Sequence, residues 1–297
     1  MKVALINIGN EILAGFTVNT NAAWMGQALI NIGLPVTKNV VIGDSRVEIK
    51  ETLGDLWETQ DVILVTGGLG PTHDDITISA VAEFFDSDLV FHEPTFKALR
   101  NRLESRDIPV TERHRQQAML PADAEIILND AGTAPALYFQ QDDKHLFCMP
   151  GVPHEMKHLM KYEILPRLRQ LHPGQYRRYI LRTVGYPESQ LYQELKEIIA
   201  PLPEGSVSFL PQIYGVDIRF LEPESESSVY AAFEQIKTRI GNAVYAESDK
   251  SMAAVVGEQL RDQDLTLATA ESCTGGLLAN EITNISGSSD YFQQGMI

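Results

Sequence analysis

Residues 61–77 constrain the fold more than any other part of the chain, reading Asp-Val-Ile-Leu-Val-Thr-Gly-Gly-Leu-Gly-Pro-Thr-His-Asp-Asp-Ile-Thr. The run Val62, Ile63, Leu64, Val65 and Thr66 lacks polar alternation, which predicts a strand buried on both faces in a parallel sheet covered by helices. Gly67, Gly68 and Gly70 follow at once. Glycine reaches backbone angles closed to other residues, so the N–H groups of such a loop can turn inward on a phosphate. Asp74 and Asp75 then precede a helix predicted to start near Thr77 and run through Val81 and Phe84. Two readings compete. Either the glycines form a tight turn and the aspartates cap the helix, or the glycines hold a phosphorylated ligand and the aspartates hold a divalent metal that bridges to it.

The flanking sequence bears on that choice. Residues 2–8 form a first predicted strand ending in Gly9-Asn10-Glu11. A helix over 20–32, capped by Asn19, Thr20 or Asn21 and closed at Gly33, presents Trp24, Ala28, Leu29 and Ile32 as a core face. Residues 35–42 are a second strand ending in Gly43-Asp44-Ser45, and 47–57 a second helix. The order is β-α-β-α-β. Right-handed crossovers between parallel strands bring the loops after all three strands to one edge of the sheet. That rim gathers Asn10, Glu11, Asp44 and residues 67–75, where open α/β sheets bind ligands.

Downstream, the pattern predicts a short strand at 89–91, helices over 94–106 and 111–119, and strands at 125–128, 136–139 and 145–149. A ligand-sized loop, Asn129-Asp130-Ala131-Gly132-Thr133-Ala134-Pro135, lies among them. Pro150-Gly151-Val152-Pro153 leads into a further helix, whose free N–H groups offer a second anion-binding edge, unless the prolines only stop a strand and start a helix. His154 and His158 share a helix face without a third ligand, which reads as an exposed pair. After a boundary at His172-Pro173-Gly174, strands at 177–184, 207–210, 216–221 and near Val244, with helices at 188–199 and 227–240, spell a split β-α-β sandwich. It carries no Gly-rich loop or basic stripe and reads as a spacer or assembly module. The last segment gives a helix from Ser251, a strand at 265–270 and Glu271-Ser272-Cys273-Thr274-Gly275-Gly276 opening another helix, again a candidate anion or nucleophile site. The expected domains are 1–172, 173–248 and 249–297. The third reads as an incomplete start, because about 45 residues cannot bury a core of their own.

Charge narrows the partners. A formal net charge of −16 over 297 residues argues against extended nucleic acid and anionic membrane, whose affinity comes from Lys and Arg. A small anionic substrate stays open if a metal supplies local positive charge. Cys148 and Cys273 are the only cysteines, which excludes a disulfide framework and fits a reducing cytoplasm. No targeting signal or membrane span is evident, so a cytoplasmic location is expected.

Several of these stretches together resemble the CinA family, the competence/damage-inducible proteins of bacteria: Gly9-Asn10-Glu11-Ile12-Leu13 with Gly15, Asn19-Thr20-Asn21, residues 66–77, Gly132-Thr133-Ala134-Pro135, Pro150-Gly151-Val152-Pro153-His154-Glu155-Met156, and 270–276. The resemblance covers essentially the whole chain. It implies an α/β, MoaB/MogA-like three-layer sandwich with a mostly parallel sheet, then the small split domain and the start of a third α/β domain. It also implies two activities in pyridine-nucleotide salvage. One is a divalent-metal-dependent ADP-ribose pyrophosphatase in the first domain; the other is a C-terminal amidase that converts nicotinamide mononucleotide to nicotinic acid mononucleotide and ammonia.

Carried over by position, Asp75 and Asp44 match essential aspartates of the related molybdopterin-binding domains. The expected metal set is Asp44, Asp74 and Asp75, with Mg²⁺ or a similar ion, and Glu11 orients water. Gly9, Asn10, Asn21, Thr66, Gly67, Gly68, Gly70, Thr72, Gly132, Thr133, Pro150 and Gly151 are expected to bind substrate. Ser289 matches the amidase nucleophile, with Ser272 and Thr274 lining its pocket; the Tyr and Lys that would activate it are expected beyond Ile297, so this chain is expected to lack amidase activity. Asn10 replaces an Asp or Thr, Asn19 an Asp and Ala136 a Gly, and the last two are expected to reshape the first-domain pocket. A homodimer is expected. The competing readings are a pterin or nucleotide binding module without chemistry, and a dimerising scaffold.

Overall fold

The computed structural model describes residues 1–70, 75–172, 176–223 and 227–297, with the Arg113 side chain set aside. They form two compact units, 1–175 and 176–297.

The first unit opens with β1 (Val3–Ile8), a short helix α1 (Asn10–Leu13), α2 (Thr20–Ile30), β2 (Val36–Ile42), α3 (Arg46–Thr59), β3 (Val62–Thr66) and α4 (Thr77–Phe84). It continues through β4 (Leu89–Phe91), α5 (Glu93–Glu104), α6 (Glu112–Gln116), β5 (Met119–Pro121), β6 (Glu125–Ile127), β7 (Ala136–Gln141) and β8 (Lys144–Met149). It closes with α7 (Pro153–Leu159), a π-helical turn (Met160–Ile164) and α8 (Leu165–Leu171). The main sheet has the order β2-β1-β3-β8-β7-β6. Pairings β1–β2, β1–β3 and β3–β8 are parallel, while β7 runs antiparallel to β8 and to β6.

The unbroken apolar strands are explained by burial on both faces. Val3, Leu5, Val62 and Leu64 pack with Met25 and Leu29 of α2 and with Met156, Leu159 and Leu168 of the last helices. Ala4, Ile6, Ile63 and Val65 pack instead on Ile49 and Leu53 of α3 and Ala80 and Val81 of α4. The result is three layers with a mostly parallel sheet in the middle, and the C-terminal ends of β1, β2, β3 and β8 share one rim. Asn19 caps α2 by accepting from the Ala22 N–H at 3.0 Å, so its amide is committed to the helix. Ala136 is buried at the start of β7.

One element differs from expectation. The helix expected over 111–119 ends at Gln116, and Met119 instead begins β5, which pairs antiparallel with β4. Ala118 and Leu120 are buried, and that burial turns the segment into a strand.

The second unit carries β9 (Tyr176–Thr183), α9 (Glu188–Ile199), β10 (Val207–Pro211), β11 (Val216–Pro223), α10 (Ser228–Ile240) and β12 (Val244–Ala246). Its antiparallel sheet has the order β10-β11-β9-β12, the split β-α-β arrangement, over a core of Leu181, Leu191, Ile218, Phe220, Phe233 and Ile236. Next come α11 (Met252–Asp262), β13 (Leu267–Ala270), α12 (Leu277–Thr283), a 3-10 turn (Ser288–Asp290) and β14 (Phe292–Met296), with β13 and β14 parallel. Among the described residues no helix is long and apolar enough to cross a membrane.

Candidate functional site

A cavity of about 480 Å³ opens at the rim of the first sheet, within the range of roughly 300–1,000 Å³ usual for small-molecule sites. Its lining comes from the ends of β1, β3 and β8, the start of α2, the loop after β2 and the loop before β7. Gly9, Glu11, Asn21, Asp44, Thr66, Gly67, Gly68, Gly70, Asp75, Thr133, Pro150 and Gly151 all face it. The topology thus gathers most of the expected set.

The glycine loop is tightly determined. Gly67 has φ +113°, and a Cβ there would lie 2.2 Å from the Ile8 carbonyl oxygen. Gly68 has φ +67°, and its Cβ would meet Thr77 Oγ1 at 2.2 Å. Thr77 then fixes the loop: its hydroxyl donates to the Gly67 carbonyl at 2.9 Å and its N–H to the Gly68 carbonyl at 3.1 Å. The expectation that all three glycines offer N–H groups needs correction at Gly67, whose N–H donates to the Met149 carbonyl at 3.1 Å and ties β3 to β8. The N–H groups of Gly68, Leu69 and Gly70 meet no acceptor among the described residues.

The carboxylates divide by role. The Asn10 N–H donates to Asp44 Oδ2 at 3.0 Å, and the Asp44 N–H returns to Asn10 Oδ1 at 3.4 Å. This pair ties α1 to the loop after β2, so Asn10 positions Asp44 and is not itself part of the lining. Asp75 packs against Gly70, where a Cβ would stand 2.7 Å from its Oδ2. Glu11 folds over Gly9 in the same way, at 2.5 Å. Asp74 and Thr72 lie outside the described residues. Among the described residues no three His, Cys, Asp or Glu side chains converge on a metal-sized point; of the expected metal set, Asp44 and Asp75 both line the cavity. His154 is exposed and His158 tilts against Tyr162 at 4.8 Å.

Other residues enter that the motif reading did not single out. Glu155, in the first turn of α7, lines the cavity and accepts from Asn129 Nδ2 at 2.7 Å. Its carboxylate fills the space beside Gly132, where a Cβ would lie 1.6 Å from Oε2. Gly132 thus packs against Glu155 and is not part of the cavity lining. The negative charge of Glu155 also stands where the start of α7 was expected to attract an anion. Arg102 of α5 holds the loop from outside, donating to the carbonyls of Asp130, Ala131 and Gly132 at 3.1, 2.8 and 3.0 Å. Asn7, Thr17, Asn19 and Thr20 add to the polar lining. Glu155 sits inside the Pro-Gly-Val-Pro-His-Glu stretch and was readable there; Arg102 bonds only to backbone, which leaves no pattern in sequence.

In the second unit, Ser272 and Thr274 follow the C-terminal end of β13, whereas Ser289 precedes the N-terminal end of β14. Leu267 pairs with Phe292 and Ala270 with Met296, so these groups stand at opposite ends of the parallel pair and do not line one pocket within a chain. The anion seat at the start of α12 is taken by Glu271, which accepts from the Leu278 and Ala279 N–H groups, each at 2.9 Å. Burial pushes its carboxyl up, but those N–H bonds outweigh burial and hold it below its ordinary value.

Comparison with known proteins gives this geometry its context. Residues 4–170 match the model of a "probable molybdopterin binding domain", 178–246 that of the damage-inducible protein CinA KH domain, and 249–297 that of the CinA C-terminal domain. A CinA-like protein of Chloroherpeton thalassium is 36% identical over 307 residues, covering 100% of this chain and 73% of that protein. Another from Dictyoglomus thermophilum is 32% identical over 305 residues, covering 100% and 74%. The crystal structure of the protein CinA with unknown function from Thermoplasma acidophilum superposes with a TM-score of 0.51 at 34% identity, covering 56% of this chain and 96% of that one. Three domain models in this order, and relatives alike along the full chain, place it in the CinA family.

Proposed function

We propose that the first unit hydrolyses a nucleotide pyrophosphate, ADP-ribose to AMP and ribose 5-phosphate, with a divalent cation such as Mg²⁺. The observation that carries this is the make-up of the cavity. Four carboxylates, Glu11, Asp44, Asp75 and Glu155, line it beside the N–H groups of residues 68–70, which meet no acceptor among the described residues, and no Lys, Arg or His among the described residues lines it. Such a surface repels an anion unless a cation comes with it. The donors fit a hard ion, which takes carboxylate oxygen and commonly uses only one or two protein carboxylates together with phosphate oxygens and water. Asp44 and Asp75 would hold it, and once bound it supplies charge neutralisation at phosphorus and a more acidic water.

The chain's own residues then have separable tasks. The N–H groups of Gly68, Leu69 and Gly70 bind phosphate oxygens, in a loop already fixed by Thr77 and so needing little ordering. Glu11 accepts a hydrogen bond from the attacking water. Water oxygen bonds to phosphorus as the bridging P–O bond breaks, and the departing phosphate keeps that electron pair. The second reading is a pterin or nucleotide binding module without chemistry; the match of residues 4–170 to a probable molybdopterin binding domain supports its pterin-binding part. No amidase step is assigned to Ser272, Thr274 and Ser289, given their separation.

The test is product analysis with ADP-ribose, with and without Mg²⁺ or Co²⁺, beside Asp75→Asn. AMP and ribose 5-phosphate formed only with metal, and lost in the variant, support the hydrolase. Full activity in the variant removes Asp75 from the machinery. Saturable binding with no product under any metal favours the binding module.

A further inference from the structure

The cavity has two unlike sides. On one face of the sheet α3 and α4 pack against Ala4, Ile6, Ile63 and Val65, and the loops leading into these two helices bring Asp44, Asp75 and residues 68–70 to the lining. On the other face α2 and α7 pack against Val3, Leu5, Val62 and Leu64, and the segments leading into them bring Val18 and Val152. Val18 is 81% exposed and Val152 51%. Side chains left in water to that extent add little to folding, yet both stand at the mouth of a cavity.

Their backbone is fixed in advance. Asn21 Nδ2 donates to the Gly151 carbonyl at 2.7 Å, a bond three residues after Val18 and one before Val152 that holds the two segments side by side. The Val18 carbonyl accepts from the Thr20 N–H at 2.8 Å, and Asn19 caps α2. A ligand resting here therefore has little to order. Charge sorts which part of the ligand that is. Glu155, in the first turn of α7, lines the same side, and its carboxylate repels phosphate while accepting readily from hydroxyl groups.

We infer that Val18 and Val152 form an apolar lip that takes the flat face of the nucleotide's heterocyclic base, with the phosphates lying towards α3 and α4. This rests on the nucleotide reading above and adds a substrate range to it. Apolar contact registers that a base is present and not which base it is, because every base offers an apolar face and a hydrophobic contact rejects an isostere only weakly. The site therefore accepts nucleotides of different bases alike.

The experiment is calorimetric titration of the full chain, with Mg²⁺ present, using AMP, its inosine counterpart IMP, and ribose 5-phosphate, which has no base. Wild type is compared with Val18→Ser and Val152→Ser, both at exposed positions. Each substitution should weaken AMP and IMP by about three- to tenfold and leave ribose 5-phosphate as it was. In the wild type, AMP and IMP should agree within about threefold. Unchanged AMP affinity in both variants overturns the inference, as does equal weakening of ribose 5-phosphate, or a preference above about tenfold for one base in the wild type. A lip that instead seats a second copy of the chain would leave AMP affinity alone while the mass seen by light scattering falls in the variants, which overturns it too. Hydrolysis of ADP-ribose is followed separately. AMP binding weakened in the variants, with no hydrolysis under any metal, sinks the pyrophosphatase and leaves the lip as assigned. Hydrolysis with AMP binding unmoved by either substitution does the reverse.

Discussion

Arg102 is the residue whose loss should tell most about how the cavity is held. One guanidinium spans three successive carbonyls, at 3.1, 2.8 and 3.0 Å, and so pins residues 130–132 to α5. Each charge-assisted bond contributes about 1.5–3 kcal/mol when taken alone. The three share one side chain that is only half-buried, and the freed carbonyls regain water, so the sum is well below additive. We expect Arg102→Met to cost the first unit about 2 kcal/mol of stability. For a unit of this size that is a melting shift of about 4–8 °C. Arg102→Lys should recover less than half, since one ammonium cannot match a planar fork aimed at three acceptors. Thermal unfolding followed by tryptophan fluorescence reads the first unit alone, because Trp24 and Trp57 both lie there. A shift under about 1 °C in Arg102→Met, or full recovery by Lys, would show that the clamp is incidental and that Asn129 and Glu155 hold the loop.

Gly67→Ala forces a side chain into positive φ and against the Ile8 carbonyl oxygen; it should destabilise by at least about 2 kcal/mol in denaturant titration. A neutral result would show that the loop can shift aside. His145 is buried and hydrogen-bonded to Tyr138 Oη at 2.9 Å. Burial lowers its pKa against the opposing pull of Asp143 and Asp61. With the folded value below the unfolded one, the unfolded chain binds more protons, so its contribution is complete above about pH 6.5 and shrinks as pH falls towards the folded value. His145→Gln should flatten the stability profile below about pH 6.5; an unchanged slope would count against it. Burial pushes the Cys148 thiol far up, while Cys273 is exposed. Native protein should therefore show one fast-reacting thiol, and Cys273→Ser none.

The layered core was legible because its signals are local. Strands β1 and β3 announce burial on both faces by running apolar without alternation, and Asn19 sits three residues before the N–H it accepts from. The rim followed from handedness once three parallel strands were read. What escaped detection depends on contacts distant in sequence. Nothing near Gly67 shows that its N–H is spent on Met149, 82 residues away, since that bond exists only because β8 lies next to β3. Arg102 reads as an ordinary helix-surface residue until the loop 28–30 residues on is folded beneath it. Asn7 breaks an apolar strand in sequence, yet only the pairing of β1 with β2 shows that its Nδ2 is held by Asn39 Oδ1 and the Val40 carbonyl. Likewise Ser289 and Ser272 lie 17 apart, and only the strand pairing shows that one βαβ crossover sends them to opposite ends.

The π turn at Met160–Ile164 bears on how this unit tolerates changes of length. The Leu165 N–H reaches back five residues to the Met160 carbonyl, and Pro166, which follows, has no N–H to give and would crowd the Tyr162 carbonyl in a regular helix. The wider turn takes up one extra residue and eases that crowding. An insertion or deletion of a single residue elsewhere in α7 or α8 would swing one apolar face out of the core by about 100°. Removing one residue within the wide turn would restore ordinary winding and leave Met156 and Leu168 facing the sheet. A change of one residue in the length of this helix would thus be taken up in that turn, leaving Pro150 and Gly151 at the cavity edge in place.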